Sequence, residues 1–140
     1  MKFLRSFLIF LVAVELTLST FFNTVGTLAC PLYKKWCYHV AMYEEDSIGF
    51  FNDEVGVSGV QCVQKKKVVY NLTGEQNGDG LYNNFYEIAI IVTHNCTGQW
   101  FNIRRIYSNI TYASVTDKEV FNTWDAELSN DGERVPDYNY

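Results

Sequence analysis

Only 19% of the 140 residues are charged, and no basic run is longer than Lys65, Lys66 and Lys67. With a net charge of −5, the chain is a poor match for nucleic acid, whose affinity comes largely from cationic contacts to phosphate. Histidine is equally scarce, since His39 and His94 are the only two. No Cys-x-x-Cys pair stands beside them, which argues against a zinc centre. The carboxylates Glu44, Glu45, Asp46, Asp53 and Glu54 lack the alternating spacing of a calcium loop and read as a solvated acidic connection. The chain also has no Gly-x-Ser-x-Gly, no Ser/His/Asp set and no phosphate loop, so neither enzyme activity nor a cofactor or metal is expected.

No apolar stretch reaches the roughly 20 residues that cross a bilayer. The run Phe7 to Val14 follows Lys2 and Arg5, stops at Glu15, and is followed by Thr17-Leu18-Ser19, with small residues three apart. This is the layout of a secretory signal, so residues 1–19 are expected to be removed and the remainder to be secreted and extracellular. Residues 20–135 then form one domain and residues 136–140 a flexible tail.

Aromatic and apolar residues, by contrast, are plentiful: 10 Tyr, 10 Phe and 3 Trp in a chain that is 48% hydrophobic. That is enough for one core in a domain of this size. Their period is two. Tyr86, Ile88, Ile90 and Val92 share one parity, with Glu87 and Thr93 on the other, which marks a strand up to His94. Further strands are predicted at Phe21 to Cys30, Cys37 to Tyr43, Val57 to Gln64, Val68 to Leu72, Phe101 to Tyr107, Ile110 to Val115 and Val120 to Leu128. Turn-like connections are read at Pro31 to Lys35, Glu44 to Gly56 and Gly74 to Asn84. About eight short strands imply an all-β sandwich of two sheets, since a single sheet would leave one apolar face wet. The polar segment from Gly132 to Tyr140 reads as loosely ordered.

Cys30, Cys37, Cys62 and Cys96 all follow the signal, and an even count in an oxidising compartment predicts two disulfides in one of three connectivities. Three glycosylation sequons begin at Asn71, Asn95 and Asn109.

Five pieces taken in order resemble the nematode transthyretin-like family. They are Gly26-x-Leu28-x-Cys30, Val40-x-Met42-Tyr43-Glu44-x-Asp46, Leu72-x-Gly74-Glu75, the strand ending His94-Asn95-Cys96, and Phe121 to Leu128 followed by Gly132-Glu133-Arg134. The resemblance covers about Val25 to Val135 and implies an extracellular transthyretin-type sandwich of two four-stranded sheets without enzyme activity. The chain is a divergent member on this reading. Lys65-Lys66-Lys67-Val68 stands where the family has a turn glycine, Asn102 stands near the place of a usual Cys ahead of Arg104, and a Cys near the C-terminus is missing. If those two lost cysteines are partners in the family, the resemblance leaves Cys30 with Cys96 as the inherited bridge and Cys37 with Cys62 as an added one. The strand parities agree with that pairing.

His94 carries the family motif and is the candidate ligand contact at a strand end; its simpler role is to support the Cys96 bridge. Lys65, Lys66 and Lys67 suit anionic lipid headgroups or an acidic receptor, with Phe50-Phe51 or Trp100-Phe101 as apolar neighbours, or they are simply a solvated turn. The chain therefore reads as a secreted binding or signalling protein that engages a lipid, a small apolar ligand or a cell-surface protein. A hydroxyisourate-hydrolase-like enzyme and an immunoglobulin-like adhesion module are the alternatives.

Overall fold

The computed structural model describes residues 19–32, 35–45, 52–77, 84–99 and 101–138. Residues 1–18 of the expected signal 1–19, together with Phe50, Phe51 and Trp100, lie outside the described residues, and Ser19 is the first residue of a strand. Among the described residues there are ten strands: β1 (Ser19–Ala29), β2 (Trp36–Glu44), β3 (Asp53–Val57), β4 (Gln61–Val63), β5 (Lys67–Asn77), β6 (Phe85–His94), β7 (Ile103–Ser114), β8 (Glu119–Thr123), β9 (Ala126–Glu127) and β10 (Glu133–Val135). No helix occurs among the described residues, so none there is long and apolar enough to cross a membrane.

The strands form two sheets. In the four-stranded sheet β1 lies between antiparallel β5 and parallel β8, with β9 continuing along the β8 side. The six-stranded sheet runs β10-β7-β6-β2-β3, with β4 sharing the β3 side of β2. Alternation decides which side chains meet between the sheets. Phe22, Leu28, Tyr70 and Leu72 from the first sheet pack into one apolar cluster with Tyr38, Val40, Met42, Tyr86, Ile88, Ile90 and Val92 from the second. Phe22 meets Tyr86 edge-on at 5.3 Å and 89°, and the Thr24 hydroxyl donates to Met42 Sδ at 3.3 Å. The space between the sheets is filled by side chains.

Two glycines of the sequence pattern allow close backbone approaches. A Cβ on Gly74 would lie 1.7 Å from the Val55 carbonyl oxygen, because β3 crosses close to β5 at one edge of the sandwich. A Cβ on Gly26 would lie 1.7 Å from the Trp124 carbonyl oxygen, where the chain passes between β8 and β9. Only a residue without a side chain fits under either oxygen.

The ten strands differ from the expected eight at specific places. Val57 to Gln64 breaks into β3 and β4 at Gly59, whose φ is 65°, while Ser58 holds the break against β2 through Val40 (N–H to Ser58 Oγ, 2.8 Å). The two strands expected on either side of Ser108 are one, β7, because a bulge opposite Ile88 and Ala89 absorbs a residue. Strand β5 runs five residues past Leu72 through the expected turn at Gly74. Asp125, whose Oδ1 accepts from Thr27 N–H at 2.6 Å, interrupts Val120 to Leu128. Part of the segment read as loose, Glu133–Val135, pairs with β7 instead. The implied four-plus-four arrangement is therefore four plus six.

Glu44 is also not a loop acid. It ends β2 on the inward side and is buried, as the cross-strand partner of Ile88.

Candidate functional site

The cysteines, His94 and the lysine turn gather at the end of the sandwich where β1 and β6 finish and β2, β5 and β7 begin. Cys30, directly after β1, is bridged to Cys96, two residues past the end of β6, which ties one sheet to the other. Cys37 of β2 is bridged to Cys62 of β4, its register partner within one sheet. These are the pairs the resemblance implied.

His94 is fully buried. Its Nδ1 accepts the Cys96 N–H at 3.1 Å, which places the ring proton on Nε2. Across the sheet it pairs with Tyr38 on one side and Arg104 on the other. Burial pushes its pKa down to about 4; the backbone and carboxylate of Asp131 oppose that shift, and the Arg104 charge adds to it. The loop over this end is held by Asn130, whose N–H donates to Cys96 O at 3.0 Å and whose Oδ1 accepts from Gly98 N–H at 2.7 Å. Arg104 donates to Gly132 O. A ligand would have to open this loop to reach the imidazole. His39 is half-buried on the outer face of the same sheet, opposite in parity to His94, so the two histidines do not converge.

The lysine turn joins β4 to β5, and all three side chains are exposed. Its carbonyls face the body of the protein: Lys65 O accepts from Trp36 Nε1 at 2.7 Å, and Lys66 O accepts from Cys30 N–H at 2.7 Å. Backbone anchoring leaves the ammonium groups in solvent. Lys67 borders a shallow hollow that also contains Asp125 and Glu127, so Lys65 and Lys66 are the less compensated pair. His94 and the lysines share an end of the molecule but not a surface.

Phe101, named with the lysines as an apolar neighbour, and Leu32, which no motif marks, also stand at this end. Phe101, in the β6–β7 connection, is 62% exposed, and Leu32, in the β1–β2 connection, is 43% exposed. An open depression of about 420 Å³ is lined by Phe101, Ile103, Arg134, Val135 and Pro136. It lies on the β7–β10 side, whereas the lysines follow β4 on the far side of the same sheet. At about 4.8 Å per strand spacing, the two are roughly 15–20 Å apart. Arg134 belongs to the quoted pattern, but its place beside Phe101 depends on β10 pairing with β7, which nothing local signals.

Asn71 on β5 and Asn109 on β7 are exposed, on the outer faces of the two different sheets. Asn95 is half-buried at the bridged end; its Oδ1 accepts the Cys37 N–H at 2.7 Å, and its own N–H donates to Cys37 O at 3.2 Å. The acidic residues do not assemble: Asp53 accepts from Gln76 at 2.9 Å, Tyr43 reaches Glu54 at 3.5 Å, and Asp46 lies outside the described residues. Among the described residues, no group of His, Cys, Asp and Glu could hold a metal ion.

Over 77 residues the chain is 30% identical to the uncharacterized protein B0416.7 of Caenorhabditis elegans, a span covering 54% of the chain and 55% of that relative. The chain thus spans about half the length of the curated relative it matches. An alternative pilotin from the type II secretion system of Vibrio cholerae superposes with a TM-score of 0.46 at 10% identity, over 76% of this chain and 96% of the pilotin. Residues 26–136, which hold both bridges, His94, the lysine turn and the depression, match the family described as Caenorhabditis elegans protein of unknown function (DUF870), and the chain belongs to that family.

Proposed function

We propose that this is a secreted binding protein with a transthyretin-like sandwich, and that its bridged end docks on an anionic lipid surface. The observation that carries the reading is the pairing of the exposed Lys65–Lys66 turn with exposed Leu32, Phe101 and the Arg134 depression at one end of a chain whose net charge is −5. Two disulfides favour an oxidising, extracellular setting. The transthyretin-like reading is supported by the two facing sheets, the Cys30–Cys96 tie between them and the close approaches at Gly26 and Gly74. Because the inter-sheet space is filled and the cationic groups are spread across the end, an extended surface fits better than a small ligand enclosed between the sheets. Enzyme activity is not part of this reading, since the two histidines point to opposite faces.

The test is co-sedimentation of the secreted chain with vesicles of phosphatidylserine and phosphatidylcholine against vesicles of phosphatidylcholine alone. Binding is expected only to the first. Each lysine near such a surface contributes about 1 kcal/mol, so Lys65→Gln with Lys66→Gln should weaken it roughly 30-fold. Equal or absent binding to both vesicles would remove the lipid reading and leave a protein receptor as the partner to seek by surface crosslinking.

A further inference from the structure

We propose that Asn71 and Asn109 carry N-linked glycans that cover the two outer sheet faces, that Asn95 stays bare, and that the bridged end is thereby left as the sugar-free surface. The inference rests on the secreted reading above. Its ground is the distribution of exposed apolar side chains around two of the three sequons.

On the outer face of the four-stranded sheet, Asn71 lies directly across from Val25, which in turn pairs with Thr123 of β8. Val69 is the next outward residue on Asn71's own strand and is 70% exposed. Phe121, 69% exposed, is in register with Asn23, which pairs with the sequon's Thr73. On the outer face of the six-stranded sheet, Asn109 lies between Tyr107 and Tyr112 along β7. Tyr112 stacks on Phe85 at 4.8 Å and 16°, and the Tyr107 hydroxyl donates to Asn109 Oδ1 at 2.7 Å. Exposed apolar side chains on both faces of a secreted domain call for a cover or a partner, and each face has a sequon beside them, Asn71 on the edge strand β5 and Asn109 on β7. A glycan provides a bulky, solvated cover attached at the right place.

The chemistry requires the side-chain nitrogen. Asn Nδ2 displaces the pyrophosphate of a polyprenyl-linked oligosaccharide supplied in the secretory pathway. A bond forms from nitrogen to sugar C1, the C1–O bond breaks, the pyrophosphate leaves with the electron pair and the amide loses a proton. At Asn109 the bond from Tyr107 occupies the oxygen, not this nitrogen. The Asn95 sequon differs: its middle residue, Cys96, is bridged to Cys30, and Thr97 is buried with its hydroxyl donating to Gln99 O at 2.5 Å. Folding and bridge closure withdraw it.

The test is expression of the full chain in a eukaryotic secretory host, followed by glycopeptide mass spectrometry with and without enzymatic removal of N-glycans. The expected result is secreted protein with glycans at Asn71 and Asn109 and none at Asn95. Thr73→Ala and Thr111→Ala, which leave both asparagines in place, should each remove one glycan and raise binding of a hydrophobic dye. Val69→Thr with Phe121→Thr should reverse the rise in the Thr73→Ala background. Secreted chain that is bare at Asn71 or Asn109, glycosylated at Asn95, or unchanged in dye binding after glycan loss overturns the inference while leaving the secreted reading intact. Chain retained unmodified in the cytosol overturns both.

Discussion

His94 makes folding of this protein sensitive to acid. Its ring is held neutral in the fold with a pKa of about 4, whereas in an unfolded chain it titrates near 6.5. The unfolded state therefore binds the extra proton between those values, and stability should fall as pH drops from about 6.5 to about 4. This stabilisation is fully present above pH 6.5. The loss should total about 3 kcal/mol and be read as a falling urea midpoint; in His94→Gln that part of the pH dependence should vanish, and its persistence would assign it elsewhere. Gly74 poses a steric question. In Gly74→Ala the methyl meets a backbone oxygen that no rotamer change can move, so a cost of about 3 kcal/mol is expected. Gly59→Ala has no atom within 4 Å to meet and carries only the penalty of its positive φ, so its smaller effect serves as the control. The sequence marked His94 and Gly74 as parts of a pattern, but not the reason for either, which is a neighbour distant along the chain.

At the scale of the strand, legibility followed burial. Strand β6 could be read to its last residue because its inward set is unbroken from Tyr86 to His94. Strand β7 reads as two because the bulge at Ile110 shifts parity between Ile110 and Thr111, and parity is the signal that marks a strand along the chain. Strand β10 is not legible along the chain because three exposed or half-buried residues offer no apolar alternation; its order comes from pairing with Ile103 to Arg105. The Cys37–Cys62 bridge belongs at this scale, since it pins the three-residue β4 to β2. Cys37→Ala with Cys62→Ala should therefore expose the Gln61 to Val63 amides to hydrogen exchange before the rest of the six-stranded sheet. Uniform loss of protection across the sheet would show that β4 opens only with the whole.

For the whole molecule the decisive tie is Cys30–Cys96, the bridge that joins the sheets. It closes a sequence separation of 66 residues against 25 for the other, which in the chain-entropy picture corresponds to about 4.4 kcal/mol against about 3.5. The larger difference should come from placement: Cys30→Ala with Cys96→Ala also loosens the end that buries His94. It should lower the thermal midpoint more than removal of the other bridge, and the reverse order would deny the inter-sheet bridge its leading role. Composition and alternation were enough to establish an all-β chain with two packed faces and two disulfides, because hydrophobic period and cysteine count are local properties of the chain. The resemblance added which cysteines pair. The gathering of Lys65, Phe101 and Arg134 at one end, the spread of the three sequons over two faces and a seam, and the burial of Glu44 and His94 came only with the fold, because each depends on which strands become neighbours, and that is settled by packing between segments far apart in the chain.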